Sequence, residues 1–211
     1  MRLIRSAEYR RMPWKNGGGE TLEIALAPPG AALDDFDWRI SAARVAVDGP
    51  FSRFPGIDRT LMILDGGGIH LAIDGTAPAD LMADSEPIAF PGDVAAAARL
   101  IAGPVTDLNV MTRRERFSHA MTRHRIAAPT DLAIDADTAL LLCAAGSVQV
   151  ATPDGTAPLA ARDSLLAEDR PRGAWHIVPQ GPSLLVLIEI RSGVPRPDGE
   201  REGPVASATG G

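Results

Sequence analysis

Apolar residues alternate with other residues at Ile69, Leu71 and Ile73, and an Asp74-Gly75 pair follows. That pattern marks a half-buried strand entering a tight turn. Val148 and Val150 alternate in the same way ahead of Asp154-Gly155. Further extended stretches are predicted at Leu22 to Ala27, Asp37 to Val47, Leu61 to Leu64, Thr106 to Thr112, Ala139 to Leu142 and Leu184 to Ile190. A helical pattern is predicted only locally, around Arg114 to Arg123. Prolines (18) and glycines (21) punctuate the chain throughout, and the fold class that follows is all-β. Gly66-Gly67-Gly68 lies between two strands without a following helix and Lys-Ser/Thr pair, so it reads as a hairpin turn rather than a phosphate loop.

The pattern repeats. LMILDGGGIHLAIDGTAP at 61 to 78 resembles LLLCAAGSVQVATPDGTAP at 140 to 158, and DGTAP itself stands at 74 to 78 and again at 154 to 158. Each copy continues through an aspartate turn (PGD, ARD) into more strands. Two similar β-rich units of this size predict two small barrels side by side, packed sheet against sheet. From Ser192 onward Pro, Gly and charge replace apolar residues, which predicts a flexible tail.

Composition narrows the class. With 211 residues, 45% of them hydrophobic, the chain can bury a substantial core, and its net charge of −6 argues against nucleic acid or an anionic membrane as partner. No apolar run approaches the roughly 20 residues that span a bilayer, and MRLIRSAEYRRMPW lacks the apolar segment of a secretory signal, so a cytoplasmic location is expected. The single cysteine, Cys143, sits among apolar neighbours and reads as a buried, inert thiol.

Candidate chemistry starts at PWKNGGGET, residues 13 to 21. Three consecutive glycines suit backbone that passes close to another group. The chain uses arginine 20 times and lysine once, so Lys15 is a candidate for a property arginine lacks: a compact ammonium with three donors. With Trp14 before it and Asn16-Gly17 after it, Lys15 could face an anion across a barrel mouth; the alternative is that the segment merely turns a corner, with Trp14 as a core plug. Glu20 and Glu23, three apart, fall on opposite faces of a strand and so do not form an acid/base pair.

PWKNGGGET, FDWRIS at 36 to 41, GPFSRFPGIDRTLMILDGGG at 49 to 68 and DLNVMTRR at 107 to 114 together resemble the HutD/Ves family over roughly residues 1 to 190. The resemblance implies a bicupin of two cupin-like β-barrel or jelly-roll units packed side by side. Residues 1 to 115 would form the first unit, 116 to 191 a second, degenerate one, and 192 to 211 the tail. It also implies an association with histidine utilisation, and a small anionic metabolite such as N-formylglutamate as ligand. Metal-binding cupins use histidines and a glutamate around the first hairpin, whereas the matching stretches here carry Phe51, Arg53 and Asp58, then Val94-Ala95-Ala96-Ala97. No metal or other cofactor is therefore expected.

Other polar groups could fill the first barrel. Arg39 and Ser41 alternate with Trp38 and Ile40 and so share one face, and Arg53 and Arg59 flank the Pro55-Gly56 turn. Guanidinium groups converging in a pocket select carboxylates through paired hydrogen bonds. The expected ligand contacts are Trp14, Lys15, Asn16, Gly17, Thr21, Arg39, Ser41, Phe54, Arg59 and Asn109, around a small-molecule carboxylate that the protein senses or buffers. One alternative is a metal-independent isomerase or hydrolase using Lys15 or Asp58 as acid or base; another is a structural or protein-interaction bicupin with plugged barrels. Exposed cupin sheets often pair, which would give a homodimer.

Overall fold

A computed structural model describes residues 1–15 and 17–193. Among them nearly every element is a strand. The chain begins with β1 (Arg2–Ile4), β2 (Arg10–Pro13), β3 (Gly19–Ala27), β4 (Trp38–Val45) and β5 (Gly49–Pro50). It continues through β6 (Ile57–Gly66), β7 (Ile69–Ile73), β8 (Ala79–Leu81), β9 (Ile88–Pro91), β10 (Ala96–Leu100) and β11 (Val105–Arg113). The second half holds β12 (Phe117–Ile126), β13 (Thr130–Asp135), β14 (Thr138–Ala145), β15 (Val148–Thr152), β16 (Gly155–Leu159), β17 (Ser164–Ala167), β18 (Arg172–Pro179) and β19 (Ser183–Ser192).

These strands form two units with the same topology. In the first, the sheet β2-β3-β4-β11-β6-β9 faces the sheet β5-β10-β7-β8. In the second, β12-β19-β14-β17 faces β13-β18-β15-β16, so each strand from β4 to β11 has a counterpart eight places later. The bulge recurs as well: β11 slips against β6 between Thr106 and Asp107, and β14 slips against β19 between Cys143 and Ala145. The repeat in the sequence is thus a repeat of architecture, two cupin-like units in which facing sheets form jelly rolls rather than hydrogen-bonded closed barrels. β1 is exchanged: although first in the chain, it pairs with β17 and extends the second unit's sheet. Tyr9 fastens this crossing, its hydroxyl 2.6 Å from Ser164 Oγ and donating to the Arg162 carbonyl.

Three apolar cores follow from the layering. Ile69, Leu71 and Ile73 fill the first unit with Leu61 and Ile63. Trp175, Val148, Val150, Leu141 and Leu185 fill the second. Between the units, Ile40, Met62, Leu108 and Val110 from one large sheet pack on Leu140, Leu142, Val186 and Ile188 from the other, all essentially inaccessible to water. The central strands of both large sheets are therefore buried on both faces.

Several expectations change. Arg114 to Arg123 is a turn leading into β12, which pairs with β19 from Phe117 to Ile126; the ladder overrides the weak helical pattern. The second DGTAP turn shifts by one residue, because Thr152 pairs with Gly155 and leaves Pro153-Asp154 at the tip. Gly66-Gly67-Gly68 is not a hairpin but the corner by which β6 leaves one sheet and β7 enters the other. A Cβ on Gly67 would stand 2.2 Å from the Ala102 carbonyl oxygen, which is why the corner needs glycine. Ser192 is the last residue of β19, tied to Asp137 through its N–H and Oγ, both 2.6 Å; the remaining tail residues, 194 to 211, lie outside the described residues.

Because one core is shared by both large sheets, Met62→Ala should lower stability by about 2–5 kcal/mol. Urea unfolding followed by both far-ultraviolet dichroism and tryptophan fluorescence should show one coincident transition, shifted as a whole.

Candidate functional site

Strict alternation sends one set of side chains from β4, β6 and β11 into the core between the units and the other set into the first unit. The second set is polar where the second unit's is not. Across the sheet, one row reads Leu26, Arg39, Met111, Arg59 and Phe90; the next reads Glu23, Ser41, Asn109 and Leu61; the third reads Thr21, Ala43, Asp107 and Ile63. A bulge in β3 between Glu23 and Ala25 brings Glu23 into line with Ser41.

This layer is buried and internally bonded. Arg39 Nε donates to Glu23 Oε2 at 2.8 Å, with both side chains more than nine-tenths buried. Arg59 Nε donates to Asn109 Oδ1 at 2.7 Å, and Asn109 Nδ2 donates to Asp107 Oδ1 at 2.6 Å. The Arg59 guanidinium lies against Phe51, 4.3 Å from the ring centroid, and Phe90 at 5.4 Å, which hold it by cation–π contact. Burial pushes the Asp107 carboxyl up to about 7, opposed in part by the charge of Arg59. Burial likewise lowers Arg59 to about 10, so it stays cationic at neutral pH. One donor is left over: Arg39 Nη2 is buried and has no hydrogen-bond partner.

The expected contacts divide into two groups. Arg39, Ser41, Arg59 and Asn109 come together in this layer, and Thr21 stands one row away. Lys15 and Gly17 are exposed on the turn between β2 and β3, at the far end of the sheet, some six residues or about 20 Å along the strand from Arg39. Trp14 packs on the first unit's core at that end and donates its indole N–H to Thr21 Oγ1 at 2.9 Å. The glycine run has a packing role there: a Cβ on Gly19 would sit 2.2 Å from the Arg44 carbonyl oxygen and 3.1 Å from the Trp14 ring. Asn16 lies outside the described residues. Phe54 joins Phe36, Ile57 and Met111 in a small apolar cluster beside the layer. Asp58 does not orient Arg59, since neighbours on a strand face opposite ways; it receives Arg114 Nε at 2.8 Å instead. Cys143 is buried, and its thiol is pushed up to about 11 by desolvation.

Sequence reasoning missed Glu23 and Asp107 as members of the layer. The signal was present: Asp107 is two residues from Asn109, and Glu23 is two from Thr21, so each shares its neighbour's face. It also left His119 without a role. His119, on β12, reaches across the seam, its Nε2 2.8 Å from Thr60 Oγ1 and its Nδ1 2.8 Å from Thr112 Oγ1. Burial lowers its pKa to about 4.

A cleft of about 350 Å³ opens at the seam, walled by Arg2 and Ile4 of β1, Arg10, Glu23, Leu26 and Pro29. Glu23 Oε1 is 3.6 Å from Arg10 Nη1 on this side, while Oε2 holds Arg39 on the other. Glu23 is thus the wall shared by the cleft and the polar layer. Among the described residues no three His, Cys, Asp or Glu side chains converge, and no helix is long and apolar enough to cross a membrane.

Two jelly rolls joined through their large sheets, one with a charged interior and one with a largely apolar interior, define a cupin-like two-unit protein of all-β class. The HutD family model matches residues 6–185, and the chain belongs to the HutD family. An uncharacterised 21.2 kDa protein in the hutC 3′ region of Pseudomonas putida is 35% identical over 150 residues, covering 71% of this chain and 77% of that one. The structure of HutD from Pseudomonas fluorescens SBW25 superposes with a TM-score of 0.76 at 32% identity, covering 91% of this chain and 98% of that one. A conserved protein of unknown function from Pseudomonas aeruginosa PAO1 gives 0.83 at 35% identity, covering 90% and 98%.

The seam histidine sets a pH dependence. Its folded pKa, about 4, lies below the ordinary 6.5, so between these values the unfolded chain binds a proton that the folded chain does not. Stability from this group is present above pH 6.5 and is lost as pH falls towards 4, by on the order of 2–3 kcal/mol. Urea midpoints measured from pH 7 to 4 should fall less steeply for His119→Gln than for the unmodified protein.

Proposed function

We propose that the first unit binds a small carboxylate, of the N-formylglutamate type, on Arg39, Arg59, Ser41 and Asn109, and that the protein senses or buffers that metabolite in histidine utilisation. The observation that carries this reading is the unsatisfied Arg39 Nη2 inside a layer that already contains a second guanidinium. A buried donor without an acceptor costs on the order of 1–3 kcal/mol, and a carboxylate oxygen relieves that cost while forming the charge-assisted bond arginine favours. The related HutD structure is described under a formate condition, and formate is the smallest carboxylate. The second unit offers no equivalent, since Arg39, Arg59 and Asn109 are matched there by Ala120, Ala139 and Leu187.

A thermal-shift panel of N-formylglutamate, urocanate, glutamate, formate and unrelated dicarboxylates tests the reading. A ligand at 100 times its dissociation constant adds about 2.7 kcal/mol, which for a chain of this size is roughly 5–10 °C. Arg59→Met, which keeps the volume between Phe51 and Phe90, should abolish the shift. A shift that survives Arg59→Met and disappears with Lys15→Met would move the site to the opposite end of the sheet. No shift with any acid would overturn carboxylate binding.

A further inference from the structure

The interior of the first unit holds four buried ionisable groups, Glu23, Arg39, Arg59 and Asp107, and they are connected unequally. Glu23 and Arg39 are bonded directly. Asp107 receives only neutral donors: Asn109 Nδ2 and a backbone N–H of Ala43. Its guanidinium, that of Arg59, is reached only through the Asn109 amide, whose Oδ1 is taken by Arg59 Nε. The facing sheet contributes Ile69, Leu71, Ile73, Leu81, Ala96 and Ala98, none of which carries charge. Every charge that Asp107 meets therefore belongs to the four-membered layer.

With Asp107 ionised, the layer holds two cations and two anions and is neutral. With Asp107 protonated, it carries one net positive charge, which matches one carboxylate. Adding that carboxylate to the neutral layer would place a third anion in a region of low dielectric. Of the two carboxylates, Glu23 is bonded directly to a guanidinium, whereas Asp107 has no directly bonded counter-charge. We propose that the first unit takes up its carboxylate ligand together with one proton from solvent, and that this proton comes to rest on Asp107. The Asn109 amide keeps both of its bonds in either state, so Arg59 stays in place while the charge of the layer changes. The proposal rests on the carboxylate-binding reading above.

Burial already holds the Asp107 carboxyl near 7, which puts the coupling in a measurable range. Below pH 6 the site is protonated before the ligand arrives and affinity is flat. Above pH 7 the dissociation constant should rise towards tenfold per pH unit, giving about 50-fold between pH 7 and 9.

The test uses the full chain with N-formylglutamate and with formate. Titration calorimetry at pH 8.5 in two buffers of different ionisation enthalpy counts the protons taken up on binding; close to one is expected, and none would overturn the proposal. Asp107→Asn, which places an amide where the protonated acid would stand, should flatten the rise in dissociation constant between pH 7 and 9. An unchanged slope in that variant would assign the proton elsewhere and overturn the proposal. Binding without proton uptake refutes the coupling alone, whereas no binding from pH 5 to 9 refutes the carboxylate reading and the coupling together. If Asp107→Asn does not fold, the buffer comparison on the unmodified protein decides.

Discussion

Burial of β4, β6 and β11 on both faces is the constraint on which the rest of the molecule depends. One face of each strand is committed to the core between the units by Ile40, Met62, Leu108 and Val110. Alternation then leaves no choice for the residues between them: Arg39, Ser41, Arg59, Asp107 and Asn109 must face inward. A one-residue register slip would exchange the two sets, driving arginines into the shared core and leucines into the charged layer. The polar layer is thus held in place by the packing behind it. Its internal bonds, Arg39 to Glu23 and Arg59 through Asn109 to Asp107, make the burial tolerable; they do not by themselves explain it.

The second unit shows what the same scaffold does without such a layer. Aligned on the shared bulge, the positions of Asp107, Asn109 and Arg59 are taken by Leu185, Leu187 and Ala139. Those residues join Trp175 in an ordinary apolar core. One copy of the architecture is packed with hydrocarbon and the other carries four buried ionisable groups, within a single chain. A jelly roll of this size closes readily around Leu and Trp, so the charged interior of the first unit is not a requirement of the fold. Buried ion pairs are weak evidence for stability, because apolar residues of similar volume do as well or better. That preference points the first interior towards a ligand.

Legibility in the sequence followed burial. Strands with clean alternation or dense β-branched content, such as Ile69–Ile73 and the Leu184 region, were read close to their observed limits. The repeat exposed the double architecture because turn residues are constrained by backbone geometry and survive when side chains diverge. β12 was misread because its sequence, FSHAMTRHRI, mixes His119 and Arg123 into the inward face, and an edge strand packed through polar side chains has no apolar period to show. Arg39, Ser41, Arg59 and Asn109 were legible as one group from alternation and the resemblance together. Lys15 was singled out from composition, and composition carries no information about position along a sheet; only the pairing of Pro13 with Glu20 and Arg44 shows which end the glycine turn occupies. Glu23 was weighed only against Glu20 and Asp107 only as part of the DLNVMTRR stretch, although the period of the strands already placed both with their partners.

The charge pattern also limits how the interior can recognise anything. Arg39 is close enough to oppose the charge of Arg59, and burial opposes it further. Attraction from net charge is therefore small while Glu23 and Asp107 are ionised, and an anion arriving from water would lose its hydration for little return. What the layer does offer is direction: an Arg59 plane fixed between two rings and through Nε to Asn109, and an Arg39 plane fixed through Nε to Glu23, with Nη2 still unsatisfied. Preorganised donors of that kind discriminate by shape, since a group that cannot align with both planes leaves a buried donor unmet. A change in the protonation of one carboxyl is the least disruptive way for such a layer to adjust its charge without moving an arginine.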